Sequence, residues 1–390
     1  MTKPPRQLYT NLVQSGTVLG EALKGRNFKV LASMLGPAYR GLIQQRGKAA
    51  SSTQIALDYS AHFDWKYERN QPDLSRLYEI AKSSQWNSTT DLSCSTDIDP
   101  FNVETLLLPE SFLPTSHLGI FAKLSSKEKL TQQHALMSWL LSQFLHGEQG
   151  ALFSAAQVTE AVPGLDAKLY GSTQVVDEGR HVEVFHRYVS QKLEKLYEIN
   201  DNLYVIIDAL MSDSRWDVKF LGMQIMVEGL ALGAFSTIRQ VTREPLLKDM
   251  LKYVIADEGR HVHYGVLALR ELYTEHLSSR EVREREDWAF EVAVLLRNRF
   301  LAHEFYDEFY AHAIKRSEWN KLMIESNLMT NFRKTMFKRL IPNLKRIGLL
   351  SDRIRPRYAA LGLLEYENEK AAPDLTGQDL LEDESPRSKA

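Results

Sequence analysis

The chain has 390 residues, enough for one large core or two modest ones, and a net charge of only −2. Its Lys and Arg form no dense stripe, which argues against a nucleic-acid partner, because phosphate binding needs clustered cations. The lone cysteine, Cys94, lies in the polar run SCSTD and reads as incidental; it excludes an intramolecular disulfide and a Cys-based zinc or iron–sulfur site, and suits a cytoplasmic protein.

The opening residues, MTKPPRQLYTNLVQ, lack the apolar run of a signal peptide, and no uninterrupted apolar stretch of about 18 residues predicts a membrane span. Strand signals are sparse and long helical patterns dominate, so the expected class is all-α. Residues 1–118 read as several helices, up to about residue 90, followed by an irregular connection over 84–118 that is rich in Ser, Thr, Asp and Pro.

A helix is then announced by Ser125 and Glu128, which fit a capping box. Leu130, His134, Met137, Leu141, Phe144, Leu145, Glu148 and Leu152 follow at spacings of three and four and define one face. Pro163-Gly164 ends this helix, and a second runs from about Leu165 to Leu196. A third is expected from about Asp213 to Thr242, a turn at Arg243-Glu244-Pro245, and a fourth after it. Residues 119–276 therefore read as a four-helix bundle. Residues 277–370 read as further helices packed on it, with the Lys and Arg of 315–357 as a solvated face. Residues 371–390 read as a disordered acidic tail.

The chemistry lies in a repeat. DEGRHV occurs at 177–182 and again at 257–262, each copy 30 residues after an isolated glutamate, Glu148 or Glu228. The halves superpose with an offset of 80: Glu148 on Glu228, Glu178 on Glu258, His181 on His261. Residues i and i+3 of a helix share a side, so each Glu-x-x-His offers one carboxylate and one imidazole to the same ion. Glu148 and Glu178 lie 15 residues either side of Pro163, so at about 1.5 Å per residue an antiparallel return brings them level. Six ligands without sulfur, Glu148, Glu178, His181, Glu228, Glu258 and His261, are the inventory of a carboxylate-bridged di-metal site and suit two iron ions, with manganese an alternative.

A ligand histidine needs an acceptor on its other ring nitrogen. Asp177 is expected to orient His261, and Asp257 to orient His181, across the bundle, with Arg180 and Arg260 pairing with the aspartates. Glycines 147, 150, 179, 229, 233 and 259 crowd these positions, at a cost of about 1 kcal/mol each relative to Ala, and fit close helix approach or room for a ligand. Phe144, Leu152, Phe185, Leu232 and Val254 lie one turn from the ligands and read either as bundle core or as an apolar substrate pocket. His146, His186 and His263 read as non-ligands, and Tyr188 and Tyr264 as packing residues.

These residues resemble the ribonucleotide-reductase-like branch of the ferritin superfamily over roughly 125–275. The paired D-E-x-R-H is most similar to the bacterial multicomponent monooxygenase hydroxylases. The resemblance implies reductive activation of O2 at a diferrous centre, an electron donor such as a reductase or ferredoxin, and a homodimer. It also agrees with the pairing of aspartates and histidines above. Three positions depart from the pattern. Leu232 stands where the hydroxylases have a threonine. Phe185 stands where the reductase small subunit has its radical tyrosine. Val254 stands where aminobenzoate N-oxygenases have an extra ligand histidine. The expected function is a di-iron oxidase or oxygenase performing hydroxylation, desaturation or N-oxygenation of an apolar or acyl-carrier-bound substrate. The alternatives are an iron-storage protein and a radical-generating or ligand-binding partner subunit.

Overall fold

Residues 27–48, 52–57 and 59–381 are described by a computed structural model, and every regular element among them is helical. Near the N-terminus α1 (Phe28–Ala38) is capped by the Asn27 side chain on Val30 N and continues as a π-helical turn, Tyr39–Ile43. Next among the described helices is α2 (Pro72–Ser83), which Pro72 opens. Among the described residues before 90 the helical elements are α1 with its π turn and α2, residues 1–26 lie outside the described residues, and over 84–118 a short 3-10 turn, Glu110–Phe112, is the one regular element.

The bundle begins with α3 (Ser126–Ala161), which carries the expected reciprocal capping box between Ser125 and Glu128. Its end is set by Pro163 and by Gly164, whose φ of +84° only glycine adopts without strain. The return helix α4 (Leu165–Arg187) runs on as a π turn, Tyr188–Lys192, and stops there rather than at Leu196 because Glu194 adopts a left-handed φ of +51°.

The sequence reading passes over α5 (Asp201–Ser212), capped by Asn200. The next long helix, α6 (Trp216–Val241), is interrupted by a π-helical stretch, Leu221–Val227, that ends directly before Glu228. By length and composition α6 could cross a membrane, but 94% of its apolar window is buried inside the fold, the mark of a central bundle helix. Opposite it runs α7 (Pro245–Glu271), with Pro245 in its first turn and the Glu244 carboxylate accepting from Leu246 N and Leu247 N.

Helix α3 pairs along α4, and α6 along α7. Beyond them follow α8 (Ser279–Arg299), α9 (His303–Phe309), α10 (Arg316–Glu325), α11 (Asn327–Arg346), α12 (Arg355–Ala360) and α13 (Gly377–Leu381). Helix α11 lies along α6 so closely that a Cβ on Gly233 would stand 2.8 Å from Met336 Cα. One hydrophobic cluster runs from Val30 to Ala372, so the terminal helices share the core of the bundle.

Two expectations for the C-terminal third are corrected. The basic residues of 315–357 are not one solvated face: Arg353 pairs with Glu286 and Asp287, Arg357 with Glu291, and Arg339 is buried. Nor is the tail free from residue 371. Ala371 and Ala372 are buried, Ala372 N donates to Asn343 Oδ1, and Leu380 packs against Gly259 with its carbonyl accepting from Ser236 Oγ. Residues 382–390 lie outside the described residues.

Candidate metal centre

The four bundle helices bring all six expected ligands together. Glu148 comes from α3, Glu178 and His181 from α4, Glu228 from α6, and Glu258 and His261 from α7. None is more than 5% exposed. His181 Nδ1 lies 3.1 Å from Glu258, 3.3 Å from Glu148 and 3.4 Å from Glu178. His261 Nδ1 lies 3.1 Å from Glu178, 3.5 Å from Glu258 and 4.0 Å from Glu228. Two ligand sets follow, each with its atoms within 4.8 Å of one another: Glu148, Glu178, His181 and Glu258, then Glu178, Glu228, Glu258 and His261. Glu178 and Glu258 belong to both, so each would be available to two ions at once.

The aspartates cross the bundle as the sequence suggests. His181 Nε2–H donates to Asp257 at 3.1 Å and His261 Nε2–H to Asp177 at 3.1 Å, which leaves each Nδ1 facing the carboxylates. Arg180 binds Asp177 and reaches Asp257 at 3.4 Å; Arg260 binds Asp257 and lies 3.8 Å from Asp177. The two aspartates and two arginines thus lock α4 to α7 beneath the ligands.

The residues fit a pair of divalent cations on two grounds. Glu178 Oε2, Glu228 Oε2, both oxygens of Glu258 and His261 Nδ1 are buried without a hydrogen-bond partner among the described residues, a concentration of unsatisfied groups at one point that bound cations would complete. Charge points the same way. Glu148 is pushed well above the usual carboxylate range by burial and by Glu258; Glu228 is pushed up by burial, then by Glu178 and Glu258. Both imidazoles are held well above their ordinary value despite burial, His181 chiefly by Asp257 and His261 chiefly by Glu178. Six buried carboxylates face two arginines and two imidazoles, so the site lacks positive charge that metal ions would supply.

Four further residues at the centre escape the sequence reading. Trp86 Nε1–H donates to Asp257 at 2.7 Å, Arg180 lies over the Trp86 ring, and Gln85 bridges Asp177 and Arg180. These two sit in the irregular connection, where no periodicity marks them. Gln174 and Gln224, both fully buried, lie one turn before Glu178 and Glu228. Reading back one turn from each ligand would have found them.

The apolar neighbours are tightly packed. Phe144, Phe185 and the unanticipated Phe235 cluster at centroid distances of 4.6 to 6.3 Å, Leu232 and Val254 are buried, and Leu152 is half-buried. They form core beside the ligands in this structure. A groove of about 1120 Å³ lies instead outside α3, lined by Ile55, Leu57, Phe153, Ile207 and Met211. The glycines also divide: Gly150, Gly233 and Gly259 are pressed by Ile207, Met336 and Leu380, whereas Gly147 and Gly179 meet nothing within 4 Å. His146 and His263 lie off the cluster, His186 is exposed, and the hydroxyls of Tyr188 and Tyr264 serve Glu244 and Ala167 O.

The fold is a ferritin-like helical bundle, and within it lies a buried carboxylate–imidazole cluster suited to two metal ions. Among solved structures the chain is similar to an R2-like ligand-binding oxidase with an aerobically reconstituted Mn/Fe cofactor. That match has a TM-score of 0.50 and 20% identity, and covers 73% of this chain and 95% of that one. A single-substitution variant of an R2-like ligand-binding oxidase with anaerobically reconstituted Mn/Fe cofactor matches at a TM-score of 0.46 and 22% identity, over 73% and 96% of the two chains. No family model and no curated protein sequence matches the chain.

Proposed function

We propose that this chain is a non-haem di-metal oxidase or oxygenase that reduces O2 and oxidises an apolar substrate, free or carrier-bound, by hydroxylation, desaturation or N-oxygenation. The observation that carries the reading is the pair of overlapping ligand sets that share Glu178 and Glu258 while leaving five buried polar atoms without partners. The Mn/Fe cofactor of the structural neighbour supports it. Two iron ions, or iron with manganese, supply electrons to O2 when bound in such a cluster.

The protein's own contribution is positional. Asp177 and Asp257 hold His261 and His181 with Nδ1 turned inward. Glu178 and Glu258 span both positions. Phe144, Phe185, Leu232 and Val254 exclude water beside the ligands, which protects an oxidant from side reactions and favours an apolar substrate over a polar metabolite. Phe185 offers no phenol for a stable tyrosyl radical one turn after His181. An electron donor such as a reductase or ferredoxin belongs to the proposal, since each O2 reduced draws electrons that the chain does not store.

The test is anaerobic titration of Fe(II) into apo-protein, then mixing with O2, followed by absorbance and Mössbauer spectroscopy. Saturation near two irons with fast oxidation is expected. Continued uptake into a mineral would make the chain a storage protein, and failure to oxidise bound iron would overturn the oxidase reading.

A further inference from the structure

The pseudo-repeat is broken one turn before each glutamate. Under the offset of 80, Gln224 corresponds to Phe144, and Gln174 to Val254. Glu228 and Glu178 are thus preceded by amides, whereas Glu148 and Glu258 are preceded by apolar side chains. The two amides form a chain. Gln224 Nε2–H donates to Gln174 Oε1 at 3.3 Å, and Gln174 Nε2–H donates to Glu178 Oε1 and to Glu228 Oε1, each at 3.1 Å. Both glutamines are wholly buried. Gln224 lies inside the π-helical stretch Leu221–Val227, an irregularity that recurs at functional sites.

One amide nitrogen therefore holds two carboxylates of the His261 set by one oxygen each. In both, the second oxygen, Glu178 Oε2 and Glu228 Oε2, is left without a hydrogen-bond partner. Among the described residues no amide holds the other terminal glutamate: the hydrogen bond of Glu148 is to His181, itself a ligand candidate. An amide donor favours the charged carboxylate and removes rotamer freedom before a metal arrives, so less entropy is lost on binding. Phe144 and Val254 do neither.

We infer that Gln174, itself oriented by Gln224, is a positioning residue that makes the two metal positions unequal, so that the His261 position fills first. The inference rests on the di-metal reading and adds an order of loading to it. Gln174 prepares two of the four ligands there, the terminal Glu228 and the shared Glu178. The His181 position depends on Glu148, which must turn from its bond to the imidazole.

The test is equilibrium binding of Mn(II) to the anaerobic full-length chain, with free Mn(II) read by electron paramagnetic resonance. The wild type is expected to bind in two steps separated at least about tenfold. Gln174→Leu weakens the tighter step about 10- to 100-fold, the range for loss of a group that orients a ligand, and leaves the weaker step in place. Gln224→Leu weakens the same step by less. His261→Ala removes the tighter step, and His181→Ala the weaker one. Two equal sites in the wild type would overturn the inference, as would Gln174→Leu and Gln224→Leu isotherms that superpose on the wild type. Should Gln174→Leu fail to fold, Gln224→Leu, which touches neither carboxylate, decides the matter. A wild type that binds neither Mn(II) nor Fe(II) would instead remove the di-metal reading, and the inference with it.

Discussion

Asp257 accepts from His181 Nε2 at 3.1 Å across the bundle, and it lies next to Glu258, one of the two carboxylates shared between the ligand sets. The motif on one helix thereby orients the histidine of the motif on another. Neither DEGRH copy is complete without its twin.

Both aspartates face Arg180 and Arg260, but Asp257 also accepts from Trp86 Nε1 at 2.7 Å where Asp177 accepts from Gln85 Nε2 at 3.3 Å, so Asp257 has more to lose than Asp177. Asp257→Ala is expected to weaken metal binding about 10- to 100-fold, and Asp177→Ala by less within that range. Calorimetric titration with Mn(II) checks this. Unchanged affinity in both variants would show that the histidines are oriented by something else.

The glycines give a paired prediction. A Cβ at Gly233 would meet the backbone of α11, so Gly233→Ala should destabilise the fold by about 1–3 kcal/mol. Gly179 has open space on its helix, so Gly179→Ala should stabilise it by up to about 1 kcal/mol. Urea unfolding of the two variants reads both signs, and equal effects would refute the packing account.

Tyr188 donates to Glu244, which caps α7. Tyr188→Phe leaves that buried carboxylate one donor short and should cost about 1–3 kcal/mol of stability. Its metal content and oxidation of bound iron should match the wild type. A variant that loses an oxidised-state radical signal would give Tyr188 a redox role instead.

Two buried histidines set an acid limit. His134 Nε2–H donates to Leu193 O at 2.8 Å and His146 Nε2–H to Tyr197 O at 2.9 Å, and burial pushes both below the ordinary value. The unfolded chain then binds more protons than the folded one once pH falls below about 6.5. The contribution of these two histidines to stability should therefore decline with pH from there down through their folded values. The decline should be shallower in His134→Gln/His146→Gln. Melting temperatures between pH 7.5 and 5.5 test this, and parallel slopes would exclude these residues as the cause.

The clustering of the six candidate ligands was legible because metal chemistry on helices leaves a fixed spacing, Glu-x-x-His, and the sequence carries it twice in register. The aspartates were legible because each adjoins a ligand. The capping box at Ser125 and the Pro163-Gly164 stop are local signals and hold. What was hidden depends on contacts distant in sequence. Arg353 and Arg357 look like surface cations until α8 presents Glu286, Asp287 and Glu291. Leu380 looks like tail until it meets Gly259. The π stretch before Glu228 is an apolar run, LGMQIMV, whose periodicity does not distinguish it from an ordinary α-helix.

If these six side chains hold two metal ions, with Glu178 and Glu258 common to both, loss of either shared carboxylate weakens both positions. The most direct test is elemental analysis of Fe(II)-loaded, desalted wild type, Glu178→Ala and Glu258→Ala, with circular dichroism on the same samples. The account predicts two metals per chain in the wild type and fewer than one in either variant, with helical content retained. Two metals retained in both variants would contradict it.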